Sequence, residues 1–255
     1  MTIHRSTASP LGERHSTDHP TVESMRSPAL LRLPSTPTSG QDLIALGASP
    51  DRLERAVRDG RLVRVRHGVY LASGAWPSEL EAQHLLRAAA ECLVRPQGVV
   101  SHRSAALAWG LALSDAEDAA GPVWLTLARG RSSTGPALRR VIAPLPAHHL
   151  VISALGFPVT TVARTAVDLV TGRALPEALA ILDAALRLEC ADLTSQLRRS
   201  DLANPVLAAA GRQPALEAAR TLGRSEQVMR AISIADPLRE TPIESLSYGH
   251  LVLAG

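Results

Sequence analysis

The feature that most constrains the fold is a series of helix-ending and turn-forming residues within residues 41–71. Gly47 and Gly60 each follow a short amphipathic stretch, and glycine is the residue type that most often ends a helix. Between them, Ser49 is an N-cap residue type and Pro50 suits the first position of a helix. Two short runs rich in β-branched residues come next. We therefore predict two helices followed by two strands, over residues 41–46, 50–59, 61–65 and 68–71. This order is that of a winged helix-turn-helix.

Arginine is concentrated in the same segment. The second predicted helix carries Arg52, Arg55 and Arg58 at every third position, on the side opposite its apolar stripe. The predicted hairpin adds further basic or titratable side chains, namely Arg61, Arg64, Arg66 and His67. Six arginines against two carboxylates give residues 52–71 a net charge of +4, compared with +3 for the whole chain. The positive charge is therefore concentrated here, and the rest of the chain is nearly neutral.

This arrangement favours binding to duplex DNA. A helix fits the major groove, where arginines reach phosphates and guanine edges, and a basic hairpin lies along the neighbouring backbone. Aromatic residues make up only 2% of the chain, so the stacking surfaces that bind single strands are scarce. An alternative stays open, in which the arginines form a solvated face and Glu54 pairs with Arg58 one turn later.

Composition excludes several other classes of protein. All 27 basic residues are arginine, which suits phosphate recognition but also follows from GC-rich codon use. No stretch approaches the roughly 18 apolar residues of a membrane span, and the first residues lack the apolar run of a secretion signal. We therefore expect a cytoplasmic protein with no membrane partner. Cys92 and Cys190 are too few and too distant for a disulfide framework or a paired-cysteine metal site.

The remaining chain predicts an α/β protein that is mainly helical. Residues 1–28 are polar and rich in proline, which predicts a disordered arm. Residues 29–75 form the winged-helix head, and residues 78–235 predict a helix-rich α/β domain with a small sheet. Its predicted helices are 79–94, 101–111, 160–170, 176–188, 193–200 and 213–235, and its predicted strands are 123–127, 140–143 and 150–152. Two S/T-x-x-E capping boxes, one beginning at Ser78 and one at Thr241, each predict the start of a helix.

Three stretches in order resemble a known family. They read ALGASPDRLERAVRDGRLVRVRHGVYL at residues 45–71, SHRSAALAWGL at 101–111 and GFPVTTVARTAVDLV at 156–170. They are similar to AbiEi-type antitoxins of type IV toxin–antitoxin systems and to larger actinobacterial proteins that carry the same head. The resemblance implies a sequence-specific transcriptional autoregulator that binds the DNA of its own operon. It also implies a functional link to a nucleotidyltransferase-like toxin without a stable complex. The residues implied to bind DNA are Arg52, Arg55 and Arg58 on the recognition helix and Arg64, Arg66 and His67 on the wing.

The last residues resemble a second module. RETPIESLSYGHLVLAG at residues 239–255 is similar to the first helix of very-short-patch-repair-like endonuclease domains. Glu244 matches the metal-assisting glutamate of that helix, although its position also fits the third residue of a capping box. No further carboxylates follow, and the chain has no lysine. We therefore expect residues 236–255 to be the first helix of a truncated domain without nuclease activity. The alternative function is an inactive remnant of a winged-helix endonuclease.

Other polar residues have ordinary structural interpretations. His148 and His149 would need a third ligand from elsewhere to hold a metal, so we expect surface histidines and no metal or cofactor. His102 has the same interpretation. Arg164 and Asp168 are spaced for an ion pair within one helix, and Cys92 lies in an apolar helix as a core residue. None of these patterns is a catalytic motif, so we expect no enzymatic activity.

Overall fold

The structure, a computed structural model, describes residues 33–111, 119–194 and 198–255. The disordered arm predicted over residues 1–28 lies outside the described residues. The described part combines helices with two small sheets, as the predicted α/β class requires. Among the residues that the structure describes, no helix has both the length and the apolar character needed to cross a bilayer.

The first part of the fold comprises residues 38–72, which lie within the predicted head of residues 29–75. From here on, the head means residues 38–72. Its elements are β1 (Thr38–Ser39), α1 (Gly40–Ala45), α2 (Pro50–Arg58), β2 (Leu62–Arg66) and β3 (Val69–Ala72). Both predicted helices and both predicted strands are present. Ser49 caps α2 as expected, because its Oγ accepts the amide of Arg52 at 3.3 Å and Pro50 occupies the first turn. The strands form an antiparallel sheet in the order β1-β3-β2.

Strand β1 was not predicted from the sequence. Thr38 pairs with Tyr70 of β3, and Gly40 donates its amide to the carbonyl of Gly68 at 2.8 Å. A two-residue strand carries no alternating pattern of its own, so only its partner defines it. The small size of Gly40 matters here, because a Cβ would lie 3.2 Å from the ring of Tyr70.

The remaining elements form a second sheet and a helical layer. In chain order they are α3 (Leu80–Val94), β4 (Val99–Val100), α4 (His102–Trp109), β5 (Val123–Leu127), β6 (Ser133–Thr134), β7 (Leu138–Ile142), β8 (Leu150–Ile152), β9 (Pro158–Thr160), α5 (Val162–Val170), α6 (Leu175–Asp192), α7 (Arg199–Leu202), α8 (Pro205–Thr221), α9 (Glu226–Ile234) and α10 (Pro242–Ala254). The mixed sheet has the order β6-β7-β5-β4-β9-β8. Strands β5 and β8 match their predicted ranges, whereas the short strands β4, β6 and β9 were not predicted.

Helix α3 joins the head to this second part. It packs against β1 and β2 of the head and also against α4, β4 and β5. Its predicted capping box is wrong, because Glu79 is the N-cap residue and Ser78 Oγ donates to the Glu79 carboxylate at 2.8 Å instead. That local hydrogen bond competes with capping. Cys92 is buried in this helix as predicted, and burial raises the pKa of its thiol to about 12.

The helical layer surrounds α5 and α6, whose side chains make up most of one hydrophobic core. Two predicted helices there differ from the structure. Of the predicted helix 193–200, residues 195–197 lie outside the described residues, Leu193 and Thr194 are not helical, and the short α7 begins at Arg199. The predicted helix 213–235 is two helices that are separated at Gly223, where φ is +59°, and the first of them, α8, begins earlier, at Pro205. A Cβ at Gly211 would lie 2.9 Å from Leu186 Cδ1, so glycine permits the close packing of α8 on α6.

Helix α10 begins with the predicted capping box. Thr241 Oγ1 accepts the amide of Glu244 at 3.2 Å, and the Glu244 carboxylate accepts the amide of Thr241 at 3.0 Å. The hydrogen bond from the Thr241 amide to the carboxylate lowers the pKa of Glu244. Helix α10 packs along α6 so closely that a Cβ at Gly249 would lie 2.5 Å from Pro176 Cα. The likeness of this helix to the start of a nuclease domain stays a prediction.

Candidate nucleic-acid interface

Helix α2 presents two arginines to solvent. Its buried residues Leu53 and Ala56 face the head, whereas Arg55 and Arg58 are exposed. Within the described parts of the chain, neither guanidinium group has a hydrogen bond or an ion pair. The alternative pairing of Glu54 with Arg58 is therefore not formed there. Arg52, one turn before Arg55, is partly buried.

The hairpin extends this basic surface. Arg61 is exposed and lies 3.4 Å from the Asp59 carboxylate, with both side chains about half exposed at 50% and 48%. Ion pairs of this kind contribute little to stability, on the order of 0–1 kcal/mol, so Arg61 is easily released to another anion. Arg64 is exposed and lies over the ring of Tyr70 at 5.8 Å. His67 is exposed at the turn, where Gly68 has a φ of +78°.

Arg66 differs from its neighbours because it faces α3. Its Nε lies 3.1 Å from Glu91 Oε1, and Arg95 pairs with the other oxygen of the same carboxylate. The Arg66 side chain is 21% exposed, and that of Glu91 is 11% exposed. The register of β2 and β3 also shifts between Arg64 and Arg66. Arg66 thus attaches the hairpin to α3 and is less accessible than the predicted DNA ligands that are exposed.

The sequence pattern did not indicate that Glu91 belongs to this interface, and Glu91 lies outside the head in the chain. Its pairing with Arg66 depends on how α3 packs against β2. Six of the seven predicted DNA ligands lie on the surface of the head at least in part, and Arg66 is the one that is turned toward a neighbouring helix.

The predicted surface histidines differ in their environments. His148 is exposed and its Nε2 lies 2.9 Å from Glu217, whereas His149 is buried, which contradicts the sequence analysis. The three side chains lie close enough to share a cation. Arg164 Nη1, however, lies 3.3 Å from His149 Nδ1 and must donate to it, because a guanidinium has no acceptor. The proton of neutral His149 then lies on Nε2, and the nearby positive charge opposes binding of a cation.

The comparison with known families concerns the head. Residues 39–72 match the model of a family that is described as "Transcriptional regulator, AbiEi antitoxin". This range begins in β1 and ends with β3, so it covers the two helices and the hairpin. No curated protein matches the chain. The head is therefore similar to AbiEi-type antitoxin regulators, which supports a DNA-binding regulator.

Proposed function

We propose that the protein is an antitoxin-like transcriptional autoregulator that binds a specific site in duplex DNA through its head, a winged helix-turn-helix. In this proposal α2 lies in the major groove and the β2–β3 hairpin lies along the adjacent backbone. The observation that carries the proposal is the pair of exposed arginines on α2, Arg55 and Arg58, which have no partner among the described residues. Guanidinium groups in that position reach phosphates and guanine edges.

The other predicted ligands have graded roles in this proposal. Arg61, Arg64 and His67 contact the backbone, whereas Arg52 is partly buried and lies at the edge of the interface. Arg66 holds the hairpin at a set angle to α3 through Glu91 and contributes to binding mainly by position. The exposed, weakly paired arginines supply affinity, because phosphate contacts release counterions.

The test begins with selection of bound fragments from the genomic DNA of the source cell, using the full chain. We expect enrichment of a site upstream of the protein's own operon. Arg55→Glu/Arg58→Glu should abolish the gel shift on that fragment, because two repulsive charges replace two attractive ones. Arg220→Glu/Arg230→Glu makes the same change of charge at exposed positions of α8 and α9 and should leave the shift intact.

Two outcomes would contradict the proposal. The first is a gel shift that survives the Arg55→Glu/Arg58→Glu change while the protein remains folded. The second is fragment selection that yields no enriched site. The link to a toxin has a separate test, in which the protein is expressed with a nucleotidyltransferase encoded in the same operon. We expect growth to be rescued without co-elution of the two proteins, and a stable complex would contradict that part.

A further inference from the structure

An open groove of about 760 Å³ lies outside the head. It is bounded by the start of α4, by β5 and β7, and by the junction of α5 with α6. Its lining includes His102, Arg103, Trp124, Asp168, Arg173 and Arg224. The volume is within the range of about 300–1,000 Å³ that small-molecule sites occupy. The proposed DNA-binding function does not use this groove.

Among the described residues at the base of this groove, positive charge exceeds negative charge. Asp168 is 1% exposed at its side chain, and both of its oxygens are occupied. Arg164 Nε donates to one oxygen at 2.9 Å, and Arg224 Nη2 donates to the other at 3.0 Å. Two guanidinium groups therefore share one carboxylate. At the rim, the carboxylate of Glu177 lies 3.7 Å from the Arg173 guanidinium, and the two charges balance each other.

One donor at the base of the groove lacks an acceptor. Arg224 Nη1 has no hydrogen-bond partner among the described residues and, unlike Nε of the same side chain, it is not buried. An excess of positive charge in a partly buried site is destabilising. A bound anion that accepts from Arg224 Nη1 would reduce this excess.

His102 adds a second donor and an unusual backbone. Its φ of +50° is the left-handed conformation that residues other than glycine rarely adopt. Its ring stacks on Trp124 with centroids 4.9 Å apart, and its Nδ1 lies 3.0 Å from Ser101 Oγ. Thr126 Oγ1 donates to Ser101 Oγ at 2.8 Å, which leaves the Ser101 hydroxyl able to donate to His102 Nδ1. In that arrangement the proton of the neutral ring lies on Nε2 and is available to a ligand. Strained backbone that positions a donor is typical of binding sites.

We propose that this groove binds a small phosphorylated molecule. The phosphate would accept hydrogen bonds from Arg224 Nη1 and from the His102 ring, and its charge would balance the shared guanidinium groups. The groove is larger than one phosphate needs, so it also has room for an organic part of the ligand. The sequence predicts only a surface position for His102, because Arg224 and Trp124 join it only in the folded chain.

The test measures binding to the full chain by calorimetry, with inorganic phosphate, pyrophosphate and AMP as probes. We expect saturable binding of at least one probe to one site. Ala174→Glu places a carboxylate at an exposed position of the lining, away from the buried ion pairs, and should weaken binding about tenfold or more by repulsion. Ala209→Glu, at an exposed position of α8, is the matched control and should bind as wild type does.

Arg224→Gln tests the donor itself and should abolish binding if the variant folds. Because this change also frees an oxygen of Asp168, Ala174→Glu keeps the test decisive if Arg224→Gln does not fold. The proposal is overturned if no probe binds saturably, or if Ala174→Glu binds as tightly as wild type.

Duplex DNA is the alternative source of phosphate, and a second measurement separates it. We expect Ala174→Glu to bind duplex DNA as wild type does, and Arg55→Glu/Arg58→Glu to retain the small-molecule site. If Ala174→Glu weakens binding of duplex DNA as much as binding of the probes, the groove belongs to the DNA interface and the proposal is wrong. Each proposal therefore fails by a different measurement.

Discussion

The double substitution Arg55→Ala/Arg58→Ala should flatten the salt dependence of duplex binding. The head exposes four arginines, Arg55, Arg58, Arg61 and Arg64, and each is expected to neutralise one phosphate. Each such contact contributes about −0.9 to the slope of log affinity against log salt concentration. Four contacts give a slope of about −3.6, and removal of two of them leaves about −1.8.

The difference is large over an accessible range of salt. Between about 50 and 200 mM, a slope of −3.6 weakens binding roughly 150-fold, whereas a slope of −1.8 weakens it roughly 12-fold. Fluorescence anisotropy with a labelled duplex measures both slopes. A non-specific duplex is sufficient, because the electrostatic contribution does not depend on base sequence.

Two controls show whether the effect belongs to the exposed face of α2. Arg230→Ala removes an exposed arginine from α9 and should leave the slope unchanged. Arg66→Ala should change the slope by less than one contact, because this side chain is paired with Glu91. The assignment of two phosphate contacts to Arg55 and Arg58 is refuted if the folded double variant keeps the wild-type slope. It is also refuted if Arg66→Ala flattens the slope as much as the double substitution does.

Three further predictions concern the part of the fold beyond the head. Asp168→Asn should lower the free energy of unfolding by about 3 kcal/mol in urea denaturation, since it leaves the buried Arg164 without its counter-charge. Gly249→Ala should lower the melting temperature, with a cost of about 1–3 kcal/mol, because the added methyl group would lie 2.5 Å from Pro176 Cα. Burial lowers the pKa of His84 to about 4 from 6.5. Between pH 6.5 and pH 4, His84 is therefore protonated in the unfolded chain but neutral in the folded chain, so stability falls as the pH falls. Over that range wild type should lose up to about 3 kcal/mol more stability than His84→Gln.

Each of these predictions has its own control. Asp192→Asn removes an exposed carboxylate and should cost less than about 1 kcal/mol. Ser247→Ala changes an exposed residue of α10, and a melting temperature no lower for Gly249→Ala than for Ser247→Ala would argue against the packing of α10 on α6. Parallel pH profiles for wild type and His84→Gln would show that His84 is not held in its neutral form.

The head was predictable because its signals are local. Ser49 and Pro50 act on the first turn of the helix that they begin, and Gly60 ends that helix within one residue of its last turn. The short strand β1 was missed for the opposite reason, since two residues form a strand only when a partner is present. The predicted helix 213–235 was wrong at two points: α8 begins earlier and packs closely on α6 at Gly211, and a left-handed turn at Gly223 separates α8 from α9.

The amino-acid order alone determined which helices and strands form the head and which arginines face away from its apolar stripe, because capping, turn chemistry and periodicity act over a few residues. Tertiary structure alone decided that Arg66 pairs with Glu91 and that Arg224 joins the ion pair that Arg164 and Asp168 form within α5. Arg66 with Glu91, and Arg224 with Asp168, lie far apart in the chain, and only packing of whole elements brings their charges within a few ångströms.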